Sequence, residues 1–211
     1  TSGASNCTIT GSTLRGIGAG SCMITAIKAG DADYNQAIAN TTVTVGKAEQ
    51  SGFTAFASPE AIDFNGVAVL SSSGGSGTGA VSYAITSGSS VCALSGATLT
   101  GIGTGLCKIT ATKASDADYN AATTVVDVSV GKARQAALTA SASPSTIDFG
   151  GISQLAASGG SGSGAVTYAV VAGQAFCSIS GTSLRGTNPG TCRVRATKAD
   201  DIDYGLATAL I

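Results

Sequence analysis

Cys92-Ala-Leu-Ser-Gly-Ala-Thr-Leu-Thr-Gly-Ile-Gly-Thr-Gly-Leu-Cys107-Lys-Ile-Thr-Ala-Thr-Lys113 is the stretch that decides the fold. From residue 106 to 113 its apolar and polar residues alternate with period two. Cys107, Ile109 and Ala111 fall on one face, and Lys108, Thr110 and Thr112 on the other. That is the pattern of a half-buried strand with a polar outer face. Eighty-five residues on, Cys192, Val194 and Ala196 alternate with Arg193, Arg195 and Thr197. Upstream, Val81, Tyr83 and Ile85 alternate likewise, matched by Val166, Tyr168 and Val170, and Val126, Val128 and Val130 make a further strand. Shorter strands are expected at 53–57, 62–70, 92–94 and 98–100. No stretch carries a 3.6-residue period. About seven short strands in each repeat point to an all-β, immunoglobulin-like sandwich.

The spacing extends to the whole chain. Cys7, Cys92 and Cys177 stand 85 apart (92 − 7 and 177 − 92), and so do Cys22, Cys107 and Cys192. Lys28, Lys113 and Lys198 keep the step, as do Tyr34, Tyr119 and Tyr204, and Pro59 with Pro144. No insertion or deletion is needed, which is the signature of tandem modules. Gly46-Lys47-Ala48 and Gly131-Lys132-Ala133 read as joints. Residues 49–133 are then one complete immunoglobulin-like repeat. Residues 134–211 are a repeat lacking its last few residues, and 1–48 are the C-terminal half of a repeat. A half-sandwich leaves apolar faces and sheet edges bare. The expectation is a window onto a longer array, or completion of 1–48 by strands of a neighbouring copy. Thr1 opens on small polar residues with no signal-peptide pattern, which reads as a mature product or a piece of a longer chain.

The six cysteines form three pairs with fourteen residues between partners. Zinc sites use closer Cys spacing, usually with His, and redox sites use Cys-x-x-Cys. The cysteines alternate in phase with Ile9, Ile24, Leu94, Ile109, Ile179 and Val194, so they face the core. Intradomain disulfides Cys7–Cys22, Cys92–Cys107 and Cys177–Cys192 are the reading; buried free thiols in a reducing compartment are the alternative. As disulfides, they place the chain in an oxidising setting, extracellular or at a cell surface.

The quoted stretch resembles the second half of bacterial immunoglobulin-like repeats. These occur in tandem in large surface proteins, including intimin- and invasin-type and giant repeat adhesins. The resemblance rests on a strand, a short Gly-flanked strand, and a Gly-Thr leading into Ile109-Thr110-Ala111. It also rests on the loop Asp116-Ala-Asp-Tyr-Asn-Ala-Ala122. It covers every repeat and implies a structural or adhesive surface protein. The paired cysteines depart from the commonest members.

Chemistry is sparse. The chain has no His, a net charge of −1 and eleven Lys plus Arg spread along it, so neither Ser-His catalysis nor a basic nucleic-acid face is present. No apolar run approaches the roughly 18 residues that cross a bilayer. Gly75-Ser-Gly77-Thr-Gly-Ala80 matches a dinucleotide fingerprint formally, but a strand follows where the mechanism needs a helix N-terminus. Asp31/Asp33, Asp116/Asp118 and Asp201/Asp203 precede the repeated Tyr. They are weak Ca²⁺ candidates, because a full site takes six to eight oxygens; turn hydrogen bonds are the simpler role. Asn6-Cys-Thr8 and Asn40-Thr-Thr42 fit the glycosylation acceptor, and Lys47 and Lys132 at the joints read as solvated linker residues, with isopeptide donors as the alternative. The expected function is non-enzymatic and without cofactor: a rod, stalk or filament segment. The alternative is an adhesive module recognising a carbohydrate or a host or cell-surface receptor. Against it, the chain has no Trp, and its few aromatics recur at alternating positions that read as core.

Overall fold

The computed structural model describes residues 3–211. Four strands come first: β1 (Cys7–Thr10), β2 (Thr13–Gly16), β3 (Gly20–Lys28) and β4 (Ala37–Val45). Eight follow: β5 (Thr54–Ser58), β6 (Ala61–Asp63), β7 (Val67–Ser73), β8 (Val81–Ser87), β9 (Cys92–Ser95), β10 (Thr98–Gly101), β11 (Gly105–Lys113) and β12 (Ala122–Gly131). The last seven are β13 (Leu138–Ser143), β14 (Ile152–Gly159), β15 (Val166–Ala172), β16 (Cys177–Ser180), β17 (Ser183–Gly186), β18 (Arg193–Lys198) and β19 (Ala207–Leu210). The described residues contain no helix.

The middle set closes as two four-stranded sheets, β5-β7-β10-β9 and β6-β12-β11-β8. All their pairings are antiparallel except β6 with β12, where Ala61–Asp63 run parallel to Ser129–Gly131. This is the strand order of an immunoglobulin-type sandwich. The one strand expected over 62–70 is two strands in different sheets. The chain crosses between them at Asp63–Gly66, where the Gly66 amide donates to the Asp63 carbonyl at 2.7 Å. Asn65 takes a left-handed conformation there (φ 65°), which Asn tolerates better than other side chains. At the equivalent place the last segment uses Gly150.

The inward faces meet on Leu99, Ile109 and Val128, all fully buried. The Cys92–Cys107 disulfide ties β9 in one sheet to β11 in the other, with Cα atoms 6.2 Å apart. Cys7–Cys22 joins β1 to β3, and Cys177–Cys192 joins β16 to the residue just before β18, with the same Cα separation. A closed loop of this length contributes about 3 kcal/mol in the chain-entropy model.

The other two segments depart from this pattern for one reason, missing strand partners. The last segment forms β13-β14-β17-β16 and a three-stranded β15-β18-β19. Among the described residues none pairs with 190–192 or 146–148, and β18 starts three residues later than β11 does. Among the described residues of the first segment, β1 pairs with β2 and β3 with β4 alone. Ile109 and Ala111 are fully buried, whereas Ile24 is half-buried and Ala26 exposed. Val128 is 0% exposed, whereas Val43 is 39% exposed.

Candidate functional site at the joints

The most organised polar structure lies where one segment meets the next. It is built on the loop that carries the repeated Asp and Tyr. Asp116 sits in this loop between β11 and β12. Its Oδ1 accepts the amides of Asp118 (3.0 Å) and Tyr119 (2.8 Å). Its Oδ2 accepts the Thr78 amide (2.6 Å) and hydroxyl (3.2 Å). Asp201 repeats this with Asp203 and Tyr204 on one oxygen, and the Ser163 amide and hydroxyl on the other. The amides of Thr78 and Ser163, then those of Tyr119 and Tyr204, hold these carboxyls down to about 2. Each Asp therefore pins the Gly-rich loop before β8 or β15 to the Asp-Tyr loop.

A glutamine adds the second latch. The Gln50 side-chain amide donates to the carbonyls of Ala114 (3.1 Å) and Asn120 (2.8 Å). Its oxygen accepts the Gly77 amide at 3.3 Å. Gln135 repeats all three bonds with Ala199, Gly205 and Gly162. A single side chain thus ties the linker to two loops at once.

The linker itself is bonded to the same loop. The Ala48 amide donates to the Asp118 carbonyl (2.8 Å), and the Asn120 amide donates back to the Ala48 carbonyl (2.9 Å). At the next joint, Ala133 is bonded to Asp203 and Gly205 at the same two distances. Lys47 Nζ donates to the Asp116 carbonyl, and Lys132 Nζ pairs with Asp200, both at 2.5 Å. The Lys132 ammonium lowers the Asp200 carboxyl below its ordinary range.

Contacts from the preceding segment complete each joint. At the first, the Ala19 amide in the β2–β3 loop donates to Asp118 Oδ1 at 2.7 Å. Gly16, Ile17, Val45 and Tyr119 line a hollow across this joint. At the second, the Thr104 hydroxyl donates to the Ile202 carbonyl at 3.0 Å. Phe64 meets Tyr204 edge-on, with ring centroids 5.4 Å apart.

These placements answer the sequence expectations residue by residue. Cys7, Cys22, Cys92 and Cys107 are buried and Cys177 and Cys192 half-buried, and each pair is disulfide-bonded. The Asp pairs lie in three separate loops, one per segment. Asp31 Oδ1 accepts the amides of Asp33 (3.0 Å) and Tyr34 (2.9 Å), and Asp116 and Asp201 are ringed by N–H donors. Among the described residues, no three His, Cys, Asp or Glu side chains gather as a metal cluster. Gly75–Ala80 leads into strand β8 and is held by Gln50 and Asp116. The aromatics are not uniformly core. Phe56 points outward from β5, while Tyr34 (76% exposed) and Phe149 (78%) lack the cross-joint neighbours that Tyr204 and Phe64 have. Gln50 and Gln135 escape motif reading; their 85-residue spacing is the signal that marks them.

No described helix is long and apolar enough to cross a membrane. No family model and no curated protein matches the chain. Among solved structures it is similar to the C-terminal 282-residue fragment of intimin, determined in complex with the intimin-binding domain of the translocated intimin receptor. The TM-score is 0.30 and the identity 17%, over 78% of this chain and 64% of that one. The chain thus spans less than two thirds of the fragment, and at this TM-score the likeness carries no conclusion.

Proposed function

We propose that this chain is a non-enzymatic, load-bearing segment of an extracellular surface protein. Its units are the half-module 1–48 and the modules 49–133 and 134–211, set in a fixed line. One observation carries this reading: the same linker bridge recurs at Ala48 and Ala133, each doubly hydrogen-bonded to the Asp-Tyr loop of the module it enters. A flexible tether leaves its backbone to water. Here the linker backbone is held at both polar atoms and flanked by a Gln latch on one side and a Lys on the other. The disulfides suit an oxidising location and limit how far a module unravels. The bare inward face of residues 7–45 is the place where upstream or neighbouring strands would complete a sandwich.

Negative-stain micrographs of the purified chain test the reading. Straight particles with a narrow spread of angles at the joints are expected. Broadly bent particles would sink it. The double variant Gln50→Ala/Gln135→Ala is expected to widen the spread without unfolding the sandwiches, because both side chains lie outside the cores.

A further inference from the structure

The three segments share a strand plan but not an outer surface. On the outward face of β11 and β12, Lys108 opposes Asp127 and Thr112 opposes Thr123. Lys108 and Asp127 form an exposed ion pair at 2.7 Å. The last segment carries Arg193, Arg195, Thr197 and Thr208 on the same face. The first segment breaks the pattern. Met23 stands where Lys108 stands, and Ile27 and Ile38 stand where Thr112 and Thr123 stand. Ile27 and Ile38 are direct cross-strand partners. All three side chains are exposed: Met23 47%, Ile27 62% and Ile38 60%.

These residues point away from the inward face that carries Cys22, Ile24 and Val43, so missing core strands do not explain them. β-strand alternation assigns them to the outside. The face between them is filled by Thr25, Asn40 and Thr42, with the Thr25 hydroxyl bonded to Asn40 Oδ1 at 2.7 Å. None of the six is ionisable. In the other segments the equivalent faces mix apolar residues with charges: Leu106 and Val125 beside Lys108 and Asp127, and Leu210 beside Arg193 and Arg195. An apolar group of this kind on an otherwise polar surface marks an interaction site.

We infer that the outer face of the β3–β4 hairpin is a lateral contact, and that its occupant is the same face of a second copy of this chain. Two observations select that occupant. The face is free of charge, so placing it against itself buries no ion, whereas the β18–β19 face would set the guanidinium groups of Arg193 and Arg195 together and the β11–β12 face would bury the Lys108–Asp127 pair. Its size also fits a weak, self-matching contact. Nine residues span about 30 Å, and two strands with their side chains cover a band roughly 15 Å wide. The contact then buries about 450 Å² on each partner, against roughly 800 Å² for a stable interface. A single pair is therefore weak and reversible. The inference is independent of the rod reading.

Sedimentation equilibrium of the intact chain tests it. The apparent mass is expected to climb reversibly above 20.2 kDa at high concentration and to approach twice that value. The variant Met23→Lys/Ile27→Thr/Ile38→Thr introduces residues the chain already carries at the equivalent positions of β11 and β12. It should weaken association at least tenfold, and Ile27→Thr alone should weaken it in part. The control Ile24→Thr/Val43→Thr alters the inward face and should leave association unchanged. Far-ultraviolet circular dichroism confirms that each variant is folded. A wild-type chain that stays monomeric at millimolar concentration overturns the inference, as does a triple variant that associates like wild type. Loss of association only in the inward-face control places the contact on the bare core and overturns it too.

Discussion

Pulling the middle sandwich by its two linkers loads the chain in a defined order. Force entering beside Gln50 and leaving through β12 runs along the parallel pairing of Ala61–Asp63 with Ser129–Gly131, so these hydrogen bonds are sheared together. Once they fail, strands peel from both ends until the load reaches Cys92 and Cys107. The fifteen-residue interval between them then stays looped. Stretched, fifteen residues span about 50 Å at roughly 3.3–3.6 Å each. The bonded cysteines already account for 6.2 Å between their Cα atoms, so the disulfide conceals about 45 Å of chain. Cys107 is fully buried and Cys92 nearly so, which keeps a reductant out until the sandwich opens. Single-molecule force extension should therefore show one unfolding step under oxidising conditions. In dithiothreitol the same step should be followed, after a delay, by a further release of about 45 Å per module. The variant Cys92→Ser/Cys107→Ser should merge the two into one longer step. Identical steps with and without reductant would refute the loop geometry. A release that precedes unfolding would refute the burial argument.

Four further outcomes follow from the same structure. Leu99→Ala removes a fully buried side chain between the sheets and should destabilise the middle sandwich by about 2–5 kcal/mol, read as a lowered midpoint in urea. Asp116 and Asp201 have folded values near 2, below the ordinary 3.8, so their contribution is present above about 4 and is lost as pH falls from 4 through 2. Asp116→Asn/Asp201→Asn should flatten the acid side of the stability profile across that window; an unchanged profile would remove both latches from the account. Trypsin should cut after Lys132 faster in Gln135→Ala than in wild type, because the linker loses its bracket; equal rates would show that the Gln latch does not restrain it. Ca²⁺ should give neither heat nor a thermal shift, because Asp116 and Asp201 already accept amide hydrogens on both oxygens; saturable binding would reverse this.

The sandwich was legible because its signal is local. Alternation over β11, β12 and β8 appears within single windows, and the 85-residue step multiplies each window by the number of segments. The one strand expected over 62–70 was misread for a local reason as well. Ile62 and Phe64 precede Val67–Leu70 at strand-like spacing, and Asn65-Gly66, a strong turn signal, sits between them. The disulfides were legible because both cysteines keep phase with core residues. Element ends were less so, since they depend on which strand lies alongside: β11 begins at Gly105 only because β12 reaches Val130.

The joints were not legible, and the cause lies in how repetition is read. Asp116 binds Thr78 across 38 positions and Gln50 reaches Asn120 across 70, so no window contains both partners. Comparing segments recovers part of this. A position kept at the 85-residue step without an apolar face to serve, such as Gln50 with Gln135, is held by a contact elsewhere in the module. The opposite comparison is equally informative. Where the segments agree, the agreement describes the common fold; where they differ on an exposed face, the fold cannot be the reason. Met23, Ile27 and Ile38 differ from their counterparts in charge and polarity while leaving strand pairing intact. The β3–β4 hairpin keeps the pleat and register of β11–β12 and carries a different outer surface. In a repeat chain, specific function is therefore to be sought in the departures from the repeat, and the recurrent positions account for the build.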